Sequence, residues 1–190
     1  MSNDLIIEQF FPIHVGYAFN PFHGEIEKEL INHCTNLKRT VRKGGNSWIS
    51  NKTYNTCDTH NILNDKKFER LNNWIHQNVN QFTNELSFNM QLKCYEGWFN
   101  IYEKYDYQEF HRHNPYIISC TYFLKSEENA SKIFLKNDRE LLLYSNDLSS
   151  DTHYSPHPGK LLIFSSYVDH AVERNEADNT RITLAYNYGK

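Results

Sequence analysis

The sequence predicts a mainly β fold: a barrel or sandwich of short strands, buttressed on one face by two N-terminal helices. Three observations lead there. Two stretches before residue 90 repeat apolar residues with a helical period. After residue 90 the chain breaks into short runs rich in β-branched and aromatic residues. Turn signals such as "HPGK" separate several of those runs.

The first helix is expected over residues 24–37, where Ile26, Leu30, Ile31, Cys34 and Leu37 share a face. The second is expected over 65–86, with Phe68, Leu71, Trp74, Ile75, Val79, Phe82 and Leu86 as its stripe. Asn64 or Asp65 can cap it. Between the helices, "RKGGNSWISNKTYNTCDTHN" is polar, carries a glycine pair, and reads as a long loop or irregular hairpin. Strands are expected at 91–105, 117–124, 132–135, 140–144, 160–164 and 181–188. The last alternates Ile182, Leu184, Tyr186 and Tyr188 with Thr183, Ala185 and Asn187. In the "HPGK" turn, Pro158 fixes φ and Gly159 is free to take a positive one. The organisation expected is one domain over 1–190. Residues 1–90 form a helical and irregular support, and 91–190 the β core.

Composition excludes several classes. A chain of 190 residues, 39% hydrophobic and 15% aromatic, can bury a real core. The formal net charge is −3 with no basic stripe, so nothing signals a nucleic-acid partner. The longest apolar runs, such as "LLIF", are too short to span a membrane. "MSNDLIIEQF" lacks the pattern of an export leader. Cys34, Cys57, Cys94 and Cys120 show no CxxC spacing and read as reduced, mostly packed thiols of a cytoplasmic protein.

The chemistry begins at "QEFHRHNPYIISCTYFLK", where His111 and His113 stand two apart. On a strand that spacing puts both imidazoles on one face, as two ligands of a metal require. With ten histidines in the chain, chance alone supplies about half such a pair. Its company matters more. "LLIFSSYVDHAVERN" adds His170 just past an apolar strand, and Arg181 opens the last strand with Thr183 facing the same way. An arginine beside a hydroxyl is a good carboxylate receptor. Tyr102 precedes His111 on the preceding strand, and Glu109 shares the parity of His111. His153 and His157, four apart in a polar turn region, read as surface residues.

"WFNIYEKYDYQEFHRHNPYIISCTYFLK", "SPHPGKLLIFSSYVDHAVERN" and "TRITLAYN" together resemble the 2-oxoglutarate- and Fe(II)-dependent oxygenases. The resemblance is nearest to the small members common in phages and marine bacteria, and extends to the prolyl hydroxylases. It implies a double-stranded β-helix, a jelly-roll or cupin-like barrel with the metal at one mouth. It implies His111 and His170 as ligands of Fe(II), with His113 the candidate third ligand in the place of the family's carboxylate, and Arg181 as the partner of the 2-oxoglutarate C5 carboxylate. Thr183 and Tyr102 match hydroxyls that assist the cosubstrate, with Asn100 and Ser119 nearby. The activity implied is hydroxylation by O₂ with decarboxylation of 2-oxoglutarate, in the cytoplasm of a host cell if the gene is carried by a phage. A protein or peptide side chain such as proline is the first substrate expected, with a small molecule equally compatible with the charge.

His113 departs from the pattern, because the superfamily usually has a carboxylate there. A neutral imidazole leaves the site one unit more positive and also makes a good zinc site. Two other readings therefore stay open. One is a three-histidine metalloenzyme of the cupin type that does not use 2-oxoglutarate. The other is a non-catalytic β-helix module that binds or builds.

Overall fold

A computed structural model describes residues 13–88, 90–127, 129–136 and 151–190. Strand β1 (Val15–Phe19) leads into helix α1 (His23–Thr40). The loop that follows holds a two-residue strand, β2 (Tyr54–Asn55), and two 3₁₀ turns precede helix α2 (Glu69–Glu85). Then come β3 (Lys93–Tyr102), β4 (Gln108–His111), β5 (Ile118–Lys125), β6 (Ile133–Lys136), β7 (Asp151–Tyr154), β8 (Lys160–Ser165), β9 (His170–Val172) and β10 (Arg181–Gly189).

Both helices form where the apolar period places them. The second starts later than the sequence suggests. Asp65 accepts from the Lys67 N–H (3.0 Å) and so caps a 3₁₀ turn, and α2 begins four residues on without a side-chain cap. The predicted strand at 91–105 ends at Tyr102. The strand expected at 140–144 lies outside the described residues. Strands β1, β2, β4, β7 and β9 have between two and five residues, too few for alternation to reveal them. At the predicted turn, Gly159 takes φ +83.

The strands pair antiparallel in two sheets, β1-β8-β5-β10-β3-β2 and β4-β9-β6-β7. Every long strand of the larger sheet has two apolar or half-polar faces, and parity decides their fate. Ile182, Leu184, Tyr186 and Tyr188 of β10 join Phe99, Ile101, Cys120, Tyr122, Leu161 and Ile163 under the helices. There they pack with Leu30, Cys34, Phe68, Leu71, Ile75 and Val79. The opposite parity faces the smaller sheet. Phe123, Leu162 and Phe164 meet Ile133, Leu135 and Val168 in a second, smaller cluster. The rest of that inner face, Trp98, Asn100, Tyr102, Ser119, Arg181, Thr183 and Asn187, lines a pocket. The sheet that carries the core on one side thus carries the polar site on the other.

Candidate active site

His111 and His170 are cross-strand partners in the β4–β9 pair. Cross-strand neighbours on one face sit close enough to share a ligand, and their ring centroids are 4.2 Å apart. His113 lies two residues beyond the end of β4, so strand parity does not place it. Its N–H donates to the Ser166 carbonyl at 3.0 Å, and its ring packs against Trp98 with centroids 5.5 Å apart. The ligand atoms of the three histidines lie within 4.8 Å of one another. Among the described residues this is the one such group of three or more metal-binding side chains.

Their protonation suits a metal. His111 Nδ1 faces the Glu109 carbonyl at 2.8 Å, and His170 Nδ1 the Val168 carbonyl at 2.9 Å. A carbonyl only accepts, so each Nδ1 carries the proton and each Nε2 keeps its lone pair. Burial holds His111 below the usual histidine pKa and His170 well below it. Burial, with His111 beside it, brings His113 down to about 3. All three are neutral at pH 7.

Arg181 closes the far end of the pocket. Its side chain is 0% exposed. Among the described residues none hydrogen-bonds to its Nε, Nη1 or Nη2. Its guanidinium lies 4.7 Å from the Tyr102 ring centroid and 5.4 Å from that of Phe123. Burial lowers its pKa, yet guanidinium stays charged at any ordinary pH. An unpaired buried cation is expensive, so the pocket is built for an anion. The β10–β3 register places Tyr102 opposite Arg181 and Asn100 opposite Thr183. Asn100 Nδ2 donates to Thr183 Oγ1 at 3.4 Å, and Asn100 Oδ1 is buried with no partner among the described residues. Burial keeps Tyr102 a neutral phenol against the pull of Arg181.

Of the residues the sequence pointed to, His111, His113, His170, Arg181, Thr183, Tyr102, Asn100 and Ser119 all line this pocket. Ser119 stands on the histidine side rather than the arginine side. Its hydroxyl donates to Asn187 Oδ1 (2.9 Å) and shares a hydrogen bond with Ser166 (2.8 Å). Glu109 turns away from the metal cluster. Its carboxylate accepts from the N–H groups of Ile49 (2.8 Å) and Ser50 (3.1 Å) and from Gln108 Nε2 (2.9 Å). That pins the glycine-pair loop and sets Trp48 against His111, ring centroids 6.3 Å apart. His153 and His157 are exposed.

Three features went unassigned in the sequence. Asn187, continuing the parity of Arg181 and Thr183, meets His113. Arg112 and Asp169 form a two-point ion pair, 2.6 and 2.9 Å, that ties β4 to the turn before β9. Opposite charges beside the two histidine stretches were its signal. Trp98, one residue of the quoted motif, walls His113.

Residues 96–187 match the family described as "Putative 2OG-Fe(II) oxygenase". No curated protein matches the chain by sequence. Among solved structures, a Pseudomonas putida prolyl-4-hydroxylase superposes with TM-score 0.67 at 12% identity, covering 93% of this chain and 92% of that one. A prolyl hydroxylase from Trichoplax adhaerens, in complex with a hypoxia inducible factor oxygen degradation domain peptide fragment, gives 0.69 at 14%, covering 92% and 83%. HygX from Streptomyces hygroscopicus, with nickel, 2-oxoglutarate and hygromycin B bound, gives 0.61 at 11%, covering 92% and 82%. At such identities the likeness is one of fold, the double-stranded β-helix. The family match spans the strands that build the pocket, and the fold is that of the solved 2-oxoglutarate- and Fe(II)-dependent oxygenases the chain resembles.

Proposed function

We propose that this oxygenase hydroxylates a C–H bond of a protein or peptide side chain, proline first among candidates, holding Fe(II) and 2-oxoglutarate in the pocket described above. The observation that carries the reading is Arg181, fully buried and without a hydrogen-bond partner among the described residues, at one end of a cavity whose other end is three neutral imidazoles.

The residues fit both groups. His111 and His170 offer bare Nε2 lone pairs, and His113 Nε2 lies 3.1 Å from His170 Nε2. That is a suitable edge for metal–nitrogen bonds of about 2.1 Å. Three ligands on one side leave the rest of the coordination sphere open for cosubstrate and O₂. Arg181 would pair with the distal carboxylate of 2-oxoglutarate, assisted by the hydroxyls of Thr183 and Tyr102 and by the Asn100 amide. When bound, iron and 2-oxoglutarate supply the oxidising chemistry, decarboxylating the cosubstrate to succinate and CO₂ and adding one oxygen atom to the substrate. The protein orients. Trp98, Phe164 and Trp48 exclude water around the histidines, and Ser119 and Ser166 support Asn187 behind His113. A cupin-type enzyme without 2-oxoglutarate would leave the buried guanidinium unexplained.

The peptide assignment draws support from two prolyl hydroxylases among the similar structures, one with a peptide bound. The four free thiols support a reducing compartment, the cytoplasm.

The test is spectroscopic. Anaerobic protein with Fe(II) should develop a weak visible charge-transfer band on adding 2-oxoglutarate, and Arg181→Ala should lose it while keeping the metal. With O₂ and a proline-containing peptide, succinate should form faster than without peptide. Iron binding without any band would overturn the 2-oxoglutarate assignment, and a band without peptide-stimulated turnover would overturn the substrate class.

A further inference from the structure

The geometry points to Glu96 and Asn187 as positioning residues that set which ring nitrogen of His113 carries its proton, and so how tightly the site holds a divalent metal. The inference rests on the three-histidine metal site and deepens it.

The wiring runs across three strands. Asn187 of β10 pairs in register with Glu96 of β3 and with Ser119 of β5. Its amide therefore has a neighbour on each side. Oδ1 accepts from Ser119 Oγ at 2.9 Å, and Nδ2 donates to Glu96 Oε2 at 3.1 Å. A carboxylate cannot donate, so Glu96 fixes the amide with Nδ2 on its side. The same Nδ2 faces His113 Nδ1 at 3.4 Å. An NH₂ group opposite a ring nitrogen asks that nitrogen for a lone pair. His113 then keeps its proton on Nε2, where it lies 3.1 Å from the bare Nε2 of His170 and donates to it. Every donor along this path from Glu96 to His170 finds an acceptor, and His170 Nδ1 is already committed to Val168.

Two imidazole nitrogens at that distance are joined by a proton or by a metal, not by neither. For His113 to become the third ligand, the proton on Nε2 must leave and one must arrive on Nδ1. The net protonation of the ring does not change. The new Nδ1–H then meets the Asn187 NH₂, donor against donor. Turning the amide would offer Oδ1 to His113, but would set that oxygen against the Glu96 carboxylate and forfeit its hydrogen bond. Glu96 thus weakens the third ligand from outside the histidine pocket. It lines a separate cavity with Thr56, Asp58 and His60. His111 and His170 have carbonyl partners that favour ligation, so the three histidines are two committed ligands and one conditional one.

The test uses the whole chain and metal affinity. Glu96→Gln lets the side chain donate or accept, so Asn187 can turn without penalty. Ni(II) or Zn(II), titrated against a chromophoric chelator, should bind E96Q about tenfold more tightly than the wild type. A merely structural role for Glu96 would weaken binding instead. The double variant E96Q/N187D places an acceptor on Nδ1 and should bind at least as tightly, which guards against poor folding of either substitution. Nitrogen-15 NMR of metal-free wild type should show His113 with Nδ1 unprotonated and Nε2 protonated, the reverse of His111 and His170. Equal or weaker metal binding by both variants, or a protonated His113 Nδ1 in the metal-free wild type, overturns the inference alone. Failure of every variant and the wild type to bind metal overturns it together with the oxygenase reading.

Discussion

Arg181 is the residue on which most depends. A buried guanidinium with no hydrogen-bond partner among the described residues forfeits several kcal/mol of hydration, a cost that a bound anion relieves. Binding to the native state alone stabilises by mass action, about 2.7 kcal/mol at a hundredfold excess over Kd. For a chain of this length that is roughly 5–10 °C in Tm. We therefore predict that 2-oxoglutarate raises the melting temperature of metal-free protein, and that Arg181→Met melts no lower than wild type but gains nothing from it. A destabilised R181M that still responds to 2-oxoglutarate would place the carboxylate elsewhere. Arg181 and Thr183 were legible in the sequence because they sit on a long strand whose alternation fixes their face, and His111 and His170 because they stand in the order of a recognisable constellation. The contact of Asn187 with His113 was not. His113 is carried by a loop, and its place depends on the Ser166 carbonyl far along the chain.

At the scale of elements, strand β4 does two jobs. One face of it carries His111, and Glu109 reaches out to the loop after α1. That loop is held by Gly44, where a side chain would drive a Cβ to within 1.5 Å of the Cys57 carbonyl, and by the Glu109 carboxylate at Ile49 and Ser50. Hydrogen bonding from the Ser50 side chain and from the Ile49 and Ser50 N–H groups overcomes burial and pulls the Glu109 pKa below the usual carboxylate value. Hydrogen bonds to a charged group are worth about 1.5–3 kcal/mol each before solvent weakens them. Glu109→Ala should free the loop and lift Trp48 from His111 without unfolding the barrel. Trypsin would then cut at Arg42, Lys43 or Lys52 many times faster than in wild type, at an almost unchanged Tm. An unchanged cleavage rate would show that the loop is held by its own packing. No sequence signal marks this tether, because a carboxylate two residues before a histidine looks like a ligand, and only the irregularity in strand register between Gln108 and His111 redirects it.

Across the whole molecule the apolar packing is lopsided. Among the described residues, the six-stranded sheet shares a large core with α1 and α2, whereas the four-stranded sheet packs on Phe123, Leu162, Phe164, Ile133, Leu135 and Val168. The imbalance follows from the site: inner-face positions given to Asn100, Arg181, Thr183 and Asn187 cannot also be core. Yet the smaller sheet supplies His111 and His170, so the weaker layer carries two of the three histidines. Regions with fewer buried apolar contacts open more readily than the global transition. Native-state hydrogen exchange should therefore resolve two tiers, with amides of β4, β6 and β9 exchanging at lower free energy than those of β3, β5 and β10. Leu184→Ala, in the larger core, should lower the upper tier by about 2–5 kcal/mol and leave the lower one nearly in place, because the larger core survives the smaller opening. Leu135→Ala should lower both tiers alike, because its contacts are lost in either opening. A divalent metal spanning His111 and His170 ties β4 to β9 and should raise both tiers. If L184A lowers both tiers equally, the two sheets unfold as one unit and the metal has no separate layer to stabilise.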